Sequence, residues 1–348
     1  MEIHNNFQGG NIIVKEIKND TAFLSQDMRD SDGSWFYWAF CVENAHGKAL
    51  HFTFKNNLIG YYGPAISHDL ISWEWLGKRT GENSFEYTFK EDEDKVYFAH
   101  HMLYTQNRFS LLEKELGFNT SELCKSQSGK SVPCIRLGGG SKKIILTSRH
   151  HACESTGTYV LEGVIRELFE TDLSEDLEFL IVPFVDYDGV IKGDQGKNRI
   201  PHDHNRDYCQ DMLYNETKAI FNYVLKNGVY VGVDFHSPYH LGGINDCIFM
   251  VRNNPKKSSE FDRLGALFEK ECSFDTMNYK VKNDFPPNFD WNWDSQCSFG
   301  NTLNKRSECR LAFSLETTYF GRADNKVSIE KLINTGRAFA KALIKYAH

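Results

Sequence analysis

The stretch from Lys142 to Glu170, KKIILTSRHHACESTGTYVLEGVIRELFE, changes texture twice within one turn. KKIILTS is a short apolar run, as a buried strand requires. STGTYVLEGVIRELFE places Tyr159, Val160, Val164, Leu168 and Phe169 at helical spacing, with Ser155 or Thr156 positioned to cap the first turn. Between them, RHHACE crowds His150, His151, Cys153 and Glu154 into the turn that leaves the strand. A strand that hands directly to a helix is the repeating unit of an α/β sheet.

The same alternation continues downstream. LEFLIVPFV, VYVGVDF and CRLAFSLE read as strands, while QDMLYNETKAIFNYVLKNG and SIEKLINTGRAFAKALIKYA read as helices, the former ended by glycine. The expected fold is therefore α/β, a mixed, largely parallel sheet with helices on both faces and its ligand site beyond the carboxyl ends of the strands. Upstream, GNIIVKEI, WFYWAFCVEN, ALHFTFKN, FEYTFKED and DKVYFAHHM are aromatic-rich runs separated by turn clusters such as DSDGS and NAHGK, the pattern of a small all-β sandwich. The texture changes where RFSLLEKELGF begins a helix. We therefore expect a β-sandwich over residues 1–106 and a catalytic α/β domain over residues 107–348. The sandwich is expected to shape substrate access without supplying catalytic groups.

Composition narrows the functional classes. The formal net charge of −7, with no Lys/Arg tract, argues against nucleic acid as a partner. No apolar run is long enough to span a bilayer and the N-terminus does not read as a secretory signal, so no membrane partner and a cytoplasmic location are expected. The nine cysteines form no Cys-x-x-Cys pair and are expected to be reduced, mostly buried small side chains; an exported chain would instead carry a few disulfides.

The polar clusters fall at predicted strand ends: RHHACE, then DYDGVIKGDQGKNRIPHDHNRDY, then HSPYH, then Glu316. His151 and Glu154, three positions apart, can converge in a strand-to-helix turn, and His236 can complete the set. Two imidazoles, one carboxylate and a water make a catalytic zinc site. The His151/Glu154 pair alone would be better explained by a carboxylate-paired loop histidine; His236 at the matching strand end is what favours a metal.

The ordered series His151-x-x-Glu154, Asp188-Gly189, Arg199, Asp203-His204-Asn205-Arg206, Asp234-Phe235-His236-Ser237 and Ser314-Leu315-Glu316 resembles the zinc metallocarboxypeptidases of the carboxypeptidase A superfamily. The aromatic sandwich ahead of it is similar to that of the cytosolic carboxypeptidase branch and its bacterial relatives. The resemblance implies one Zn²⁺ per chain, held by His151, Glu154 and His236. It implies Glu316 as general base, Arg199 as the cation that stabilises the oxyanion, and Asn205 with Arg206 as the grip on a substrate's free C-terminal carboxylate. Asp203 would orient the first zinc histidine. His150, His202, His204 and His240 receive no role beyond rim or turn, although His204 lies where it could touch substrate.

The chain also departs from the family. Where many members carry a tyrosine that closes over the substrate, residues 294–304 read DSQCSFGNTLN, with Phe299; Tyr239, Tyr279 or Tyr319 would have to substitute. Arg306 or Arg310 would serve a preference for acidic side chains. The expected activity is removal of a C-terminal residue from a peptide or peptide-like chain. The alternatives are a zinc amidase or deacylase acting on a muropeptide or an N-acyl amino acid, and a non-catalytic binding module of the same fold.

Overall fold

The computed structural model describes residues 1–293 and 297–348. Its centre is a sheet whose strands run Ser121–Lys125, Ser131–Gly138, Leu177–Val182, Lys142–Ser148, Val231–His236, Leu311–Glu316 and Phe249–Met250 across the sheet. The four strands from Leu177–Val182 to Leu311–Glu316 are parallel, and the flanking strands are antiparallel. The mixed, largely parallel sheet expected from the sequence is thus present. The hairpin Ser121–Gly138 and the short Phe249–Met250 strand, which carry no clear alternation, close its edges.

Alternation along these strands sorts the side chains to two faces. Ile144, Leu146, Val231, Val233, Phe235, Leu311, Phe313 and Leu315 pack on one face against the helices Ser155–Glu170, Ser258–Glu271 and Ile329–Ala347. Ile145, Leu180, Val182 and Ala312 pack on the other against Asn215–Asn227 and Phe299–Asn304. Both faces are covered, so these strands are apolar almost throughout, as parallel strands must be. The Ser155–Glu170 and Ile329–Ala347 helices touch through Gly163 and Gly336; a Cβ on Gly163 would lie 1.9 Å from the Ile333 carbonyl oxygen. Only glycine permits that approach.

Residues ahead of the Gln106–Leu116 helix form two sheets packed face to face. Their filling is aromatic: Phe40 lies 5.3 Å from Phe52 across the sheets, and Phe85 lies 5.5 Å from Phe98. Aromatic pairs at these separations combine large buried area with favourable ring geometry. WFYWAFCVEN forms a strand only over Ala39–Glu43, because Trp35, Phe36 and Tyr37 leave the sandwich toward the other domain. One continuous hydrophobic cluster spans both parts. Asn11 Nδ2 donates to the Gly193 carbonyl at 2.7 Å, Gln195 exchanges two hydrogen bonds with the Tyr37 backbone, and Trp75 Nε1 donates to the Val327 carbonyl at 2.9 Å.

Cys209 and Cys297 form a disulfide, which corrects the expectation that all nine cysteines are reduced. The remaining seven are free, Cys124 and Cys272 half-buried and the others buried. Of the stretch 294–304, residues 294–296 lie outside the described residues.

Candidate active site

The turn RHHACE is built around Arg149, which adopts a left-handed conformation at φ 63°. Such a conformation is costly for a non-glycine residue and persists only when its surroundings hold it. Here the buried guanidinium does so: Nε donates to the Ala152 carbonyl at 2.7 Å and Nη1 to the Tyr104 carbonyl at 3.1 Å. The kink separates the adjacent histidines, so that His150 goes beneath the sheet end and His151 faces a cavity of about 520 Å³. Glu154, rather than Ser155 or Thr156, is the N-cap of the following helix, and its carboxylate makes no cap bond. Thr156 instead bonds the Ser237 hydroxyl at 2.6 Å, tying the helix to the end of the Val231–His236 strand.

The carboxylate of Glu154 is the meeting point. His151 Nδ1 lies 2.9 Å from its Oε1, and His236 Nδ1 lies 2.6 Å from its Oε2. The three donor atoms all lie within 4.8 Å of one another. Each imidazole turns its outer nitrogen to an aspartate: His151 Nε2 is 3.7 Å from Asp203 Oδ2, and His236 Nε2 contacts Asp234 Oδ2. Asp234, by accepting from His236 Nε2–H, leaves the lone pair on Nδ1, directed at the shared centre, while Asp203 faces His151 Nε2 beyond hydrogen-bond distance. This donor set suits zinc, with three protein ligands and an open position.

Asp234 is shared further. It accepts from Thr147 Oγ1 at 2.8 Å and lies 2.8 Å from His150 Nδ1, while His150 Nε2 is 2.7 Å from the Tyr208 hydroxyl. His150 is thus not a rim or turn histidine but a fully buried member of the network behind His236. Of the other three, His204 is buried, stacked 3.6 Å from Tyr214 and outside the cavity lining. His202 pairs with Asp207, and His240 joins His100 at the domain boundary.

Electrostatics follow from burial and these contacts. Burial would depress the His236 imidazole, yet Asp234 and Glu154 hold it well above its ordinary value. The Glu154 carboxyl resists its burial and lies well below the usual range because Lys197, His151 and His236 face it. Glu316 differs: burial pushes its carboxyl up to about 7. Glu316 pairs in register with His236 on the neighbouring strand and lines the same cavity, and its Oε2 is buried without a partner. Asn205 Oδ1 and Asp203 Oδ1, of residues lining the same cavity, are also buried and unpartnered. Such orphaned acceptors at a cavity wall are where water or substrate hydrogen atoms bind.

Asp203, Asn205 and Arg206 all line this cavity. Arg199 does not. Its Nη1 lies 2.7 Å from Asp186 Oδ2, its Nε 3.1 Å from Asp30 Oδ2, and its Nη2 3.1 Å from Asp194 Oδ2. A guanidinium met by three carboxylates anchors its loop, and Arg199, expected to face the reacting carbonyl, is not among the residues that line the cavity. Lys197, two residues earlier and missed in the sequence, lines the cavity instead. Of the three tyrosines, Tyr239 lines the cavity and is exposed. Tyr279 is buried and donates to Asp284, and Tyr319 is buried under the Glu154 turn. Arg306 and Arg310 pair with Glu308 and Glu260 away from the cavity. The sandwich also reaches the site, since Trp35 lines the cavity and Asp30 anchors Arg199.

The family model for the cytosolic carboxypeptidase N-terminal domain matches residues 3–101. Among curated relatives, mouse cytosolic carboxypeptidase 4 is 26% identical over 71% of this chain. This chain spans about a quarter of the length of the cytosolic carboxypeptidases it matches, 26% of the mouse protein. Metallo-carboxypeptidase from Burkholderia cenocepacia superposes with a TM-score of 0.83 at 18% identity, covering 99% of this chain and 98% of that one. A metallo-carboxypeptidase from Pseudomonas aeruginosa, solved in complex with (2-guanidinoethylmercapto)succinic acid, gives 0.83 at 19% identity, covering 100% and 99%. The chain thus shares the fold of these metallo-carboxypeptidases, and its sequence is similar to that of the cytosolic carboxypeptidases.

Proposed function

We propose that this chain is a zinc-dependent carboxypeptidase that hydrolyses the C-terminal peptide or peptide-like amide bond of a substrate with a free carboxylate. The observation that carries this reading is the convergence of His151, Glu154 and His236 beside an unpartnered Glu316, on the wall of a cavity that Asn205 and Arg206 also line. Zinc held by the first three would polarise the scissile carbonyl and acidify a water. Asp203 and Asp234 hold the ligand imidazoles in the productive tautomer.

Glu316 takes the proton of the attacking water and returns it to the leaving amine. Its buried setting, which raises its pKa toward neutrality, suits both transfers. Arg206 pairs with the terminal carboxylate through charge-assisted hydrogen bonds, and the Asn205 side chain supplements them. Together they set the scissile bond one residue from the chain end. The names of the relatives suggest a cytosolic setting, and among the described residues no helix is long and apolar enough to cross a membrane.

The test compares zinc-loaded protein on peptides that end in a free carboxylate and on the same peptides amidated. Release of the last residue from the free peptides alone is expected. Equal cleavage of both would refute an exopeptidase and leave an endo-acting amidase as the better reading.

A further inference from the structure

We propose that Lys197, in place of Arg199, is the catalytic cation that stabilises the oxyanion formed on the scissile carbonyl. The proposal deepens the carboxypeptidase reading and rests on it.

Two cations two residues apart could serve, and their surroundings separate them. Arg199 has Nε, Nη1 and Nη2 each engaged by a different aspartate. To swing toward the zinc ligands it would have to leave Asp30 and Asp186 without their counter-charge inside the protein and Asp194 with Arg29 alone, a strongly unfavourable exchange. The Lys197 side chain is 8% exposed, lines the cavity, and brings Nζ to 2.5 Å from Glu154 Oε1. Its ammonium also lies 4.9 Å from the centroid of the Trp35 ring, which walls it from solvent.

The loop is built to hold it there. Asp30 accepts from the Gln195 N–H at 3.1 Å and the Gly196 N–H at 2.8 Å, while the Gln195 carbonyl accepts from the Cys153 N–H at 3.3 Å. Gly196, at φ +73°, lies so close to the metal-ligand turn that a Cβ would come within 2.1 Å of the Ala152 nitrogen. The residue after this clamp is delivered beside Glu154, and the residue two further on is delivered to the aspartates. Arg199 is therefore a positioning residue, and Lys197 is the one that reaches the reacting atoms.

In the reaction the water oxygen bonds to the carbonyl carbon, the carbonyl π pair moves onto its oxygen, and the proton passes to Glu316. Collapse restores the C=O bond and expels the amine, which takes that proton from Glu316. Lys197 stays an ammonium throughout. Its flexible stem lets Nζ turn from the Glu154 carboxylate to the new negative oxygen, a contact strongest where the charge is greatest.

The experiment uses the zinc-loaded full chain and the variants Lys197→Gln, Lys197→Arg and Arg199→Lys. For each, kcat and KM on a free-carboxylate peptide are measured beside zinc content, melting temperature, and affinity for a phosphonate peptide and for the product amino acid. Removal of one oxyanion donor typically lowers kcat by about 10²–10³-fold. Lys197→Gln is expected to show that loss with KM nearly unchanged. It should weaken the tetrahedral phosphonate by a similar factor and leave product affinity and zinc content as in the wild type. Lys197→Arg should recover part of the loss, and Arg199→Lys should lower melting more than turnover. The proposal is overturned if Lys197→Gln keeps near-normal turnover, loses its zinc, or weakens phosphonate and product alike. It is equally overturned if folded, zinc-loaded Arg199→Lys loses turnover to the extent expected of Lys197→Gln. A wild-type protein that cleaves no peptide would refute the carboxypeptidase reading itself, while the phosphonate comparison would still judge the lysine.

Discussion

Glu316→Gln separates what the carboxylate does for chemistry from what its burial does to stability. The Glu316 carboxyl is pushed from the ordinary 4.5 up to about 7, chiefly by burial and opposed by His236. At about 1.4 kcal/mol per pKa unit, holding the ionised form inside costs the metal-free protein about 3 kcal/mol. Below about pH 4.5 the group is protonated in both folded and unfolded chains, so nothing is lost. As pH rises through the window to about 7, the folded state binds more protons than the unfolded one and its stability falls; above it the full cost is present. Glutamine has no proton to lose in this range. A constant offset for its extra amide hydrogens is expected, but the stability difference between variant and wild type should grow by about 3 kcal/mol from pH 4.5 to 8. Denaturant unfolding of chelator-treated protein at several pH values reads this directly, provided the transition is two-state. In the zinc-loaded protein the same substitution should lower kcat by about 10²–10⁴-fold with metal content unchanged. A pH-independent stability difference would mean that Glu316 ionises freely in the folded state, and near-normal turnover would mean that another group is the base.

His151→Ala should abolish stoichiometric zinc in elemental analysis, whereas His150→Ala should retain it while lowering the melting temperature, because His150 braces Asp234 without facing the donor set. Asp203→Asn and Asp234→Asn should each weaken zinc affinity by about 10–100-fold, measured by competition with a chromogenic chelator, if each orients one ligand imidazole as we propose; unchanged affinity in both would sever the link between these aspartates and the metal. Arg206→Ala should raise KM for free-carboxylate peptides far more than it lowers kcat, and equal effects on KM for an amidated peptide would refute its role as the carboxylate grip. Thiol titration of the unfolded, non-reduced protein should find seven free cysteines, as the Cys209–Cys297 bond leaves; nine would show that the pair is reduced in the protein as prepared.

The strand-to-helix alternation and the clustering of polar residues at strand ends were readable because both are local patterns. The metal-ligand set, as we propose it, was readable for the same reason: each ligand follows or ends an apolar run. What escaped the sequence lies in contacts between distant segments. Asp30 and Arg199 are 169 residues apart, and nothing near Asp30 marks it as the residue that removes Arg199 from the cavity. Lys197 and Arg199 are interchangeable as text, since a fixed cation suits the role at either position, and only the clamp at Gly196 distinguishes them. His150 and His151 are adjacent and identical in type; the left-handed Arg149 between strand and turn decides which one meets Glu154. The disulfide escaped because Cys209 and Cys297 are 88 residues apart, with no spacing rule that joins them.

His236 and Glu316 face one another because the strands that carry them are hydrogen-bonded in register, Val231 with Leu311 through to His236 with Glu316. Neighbouring strands lie about 4.8 Å apart, a spacing the backbone imposes whatever the side chains. The separation of His236 from Glu316 is therefore a lattice constant of the sheet rather than a property of a loop. Insertions in the surface loops can reshape the cavity mouth without altering it. A slip of one residue between these two strands would carry Glu316 to the opposite face, toward the Ile329–Ala347 helix, and would turn Phe313 and Leu315 away from it. The apolar packing that forbids such a slip thus also keeps Glu316 beside His236.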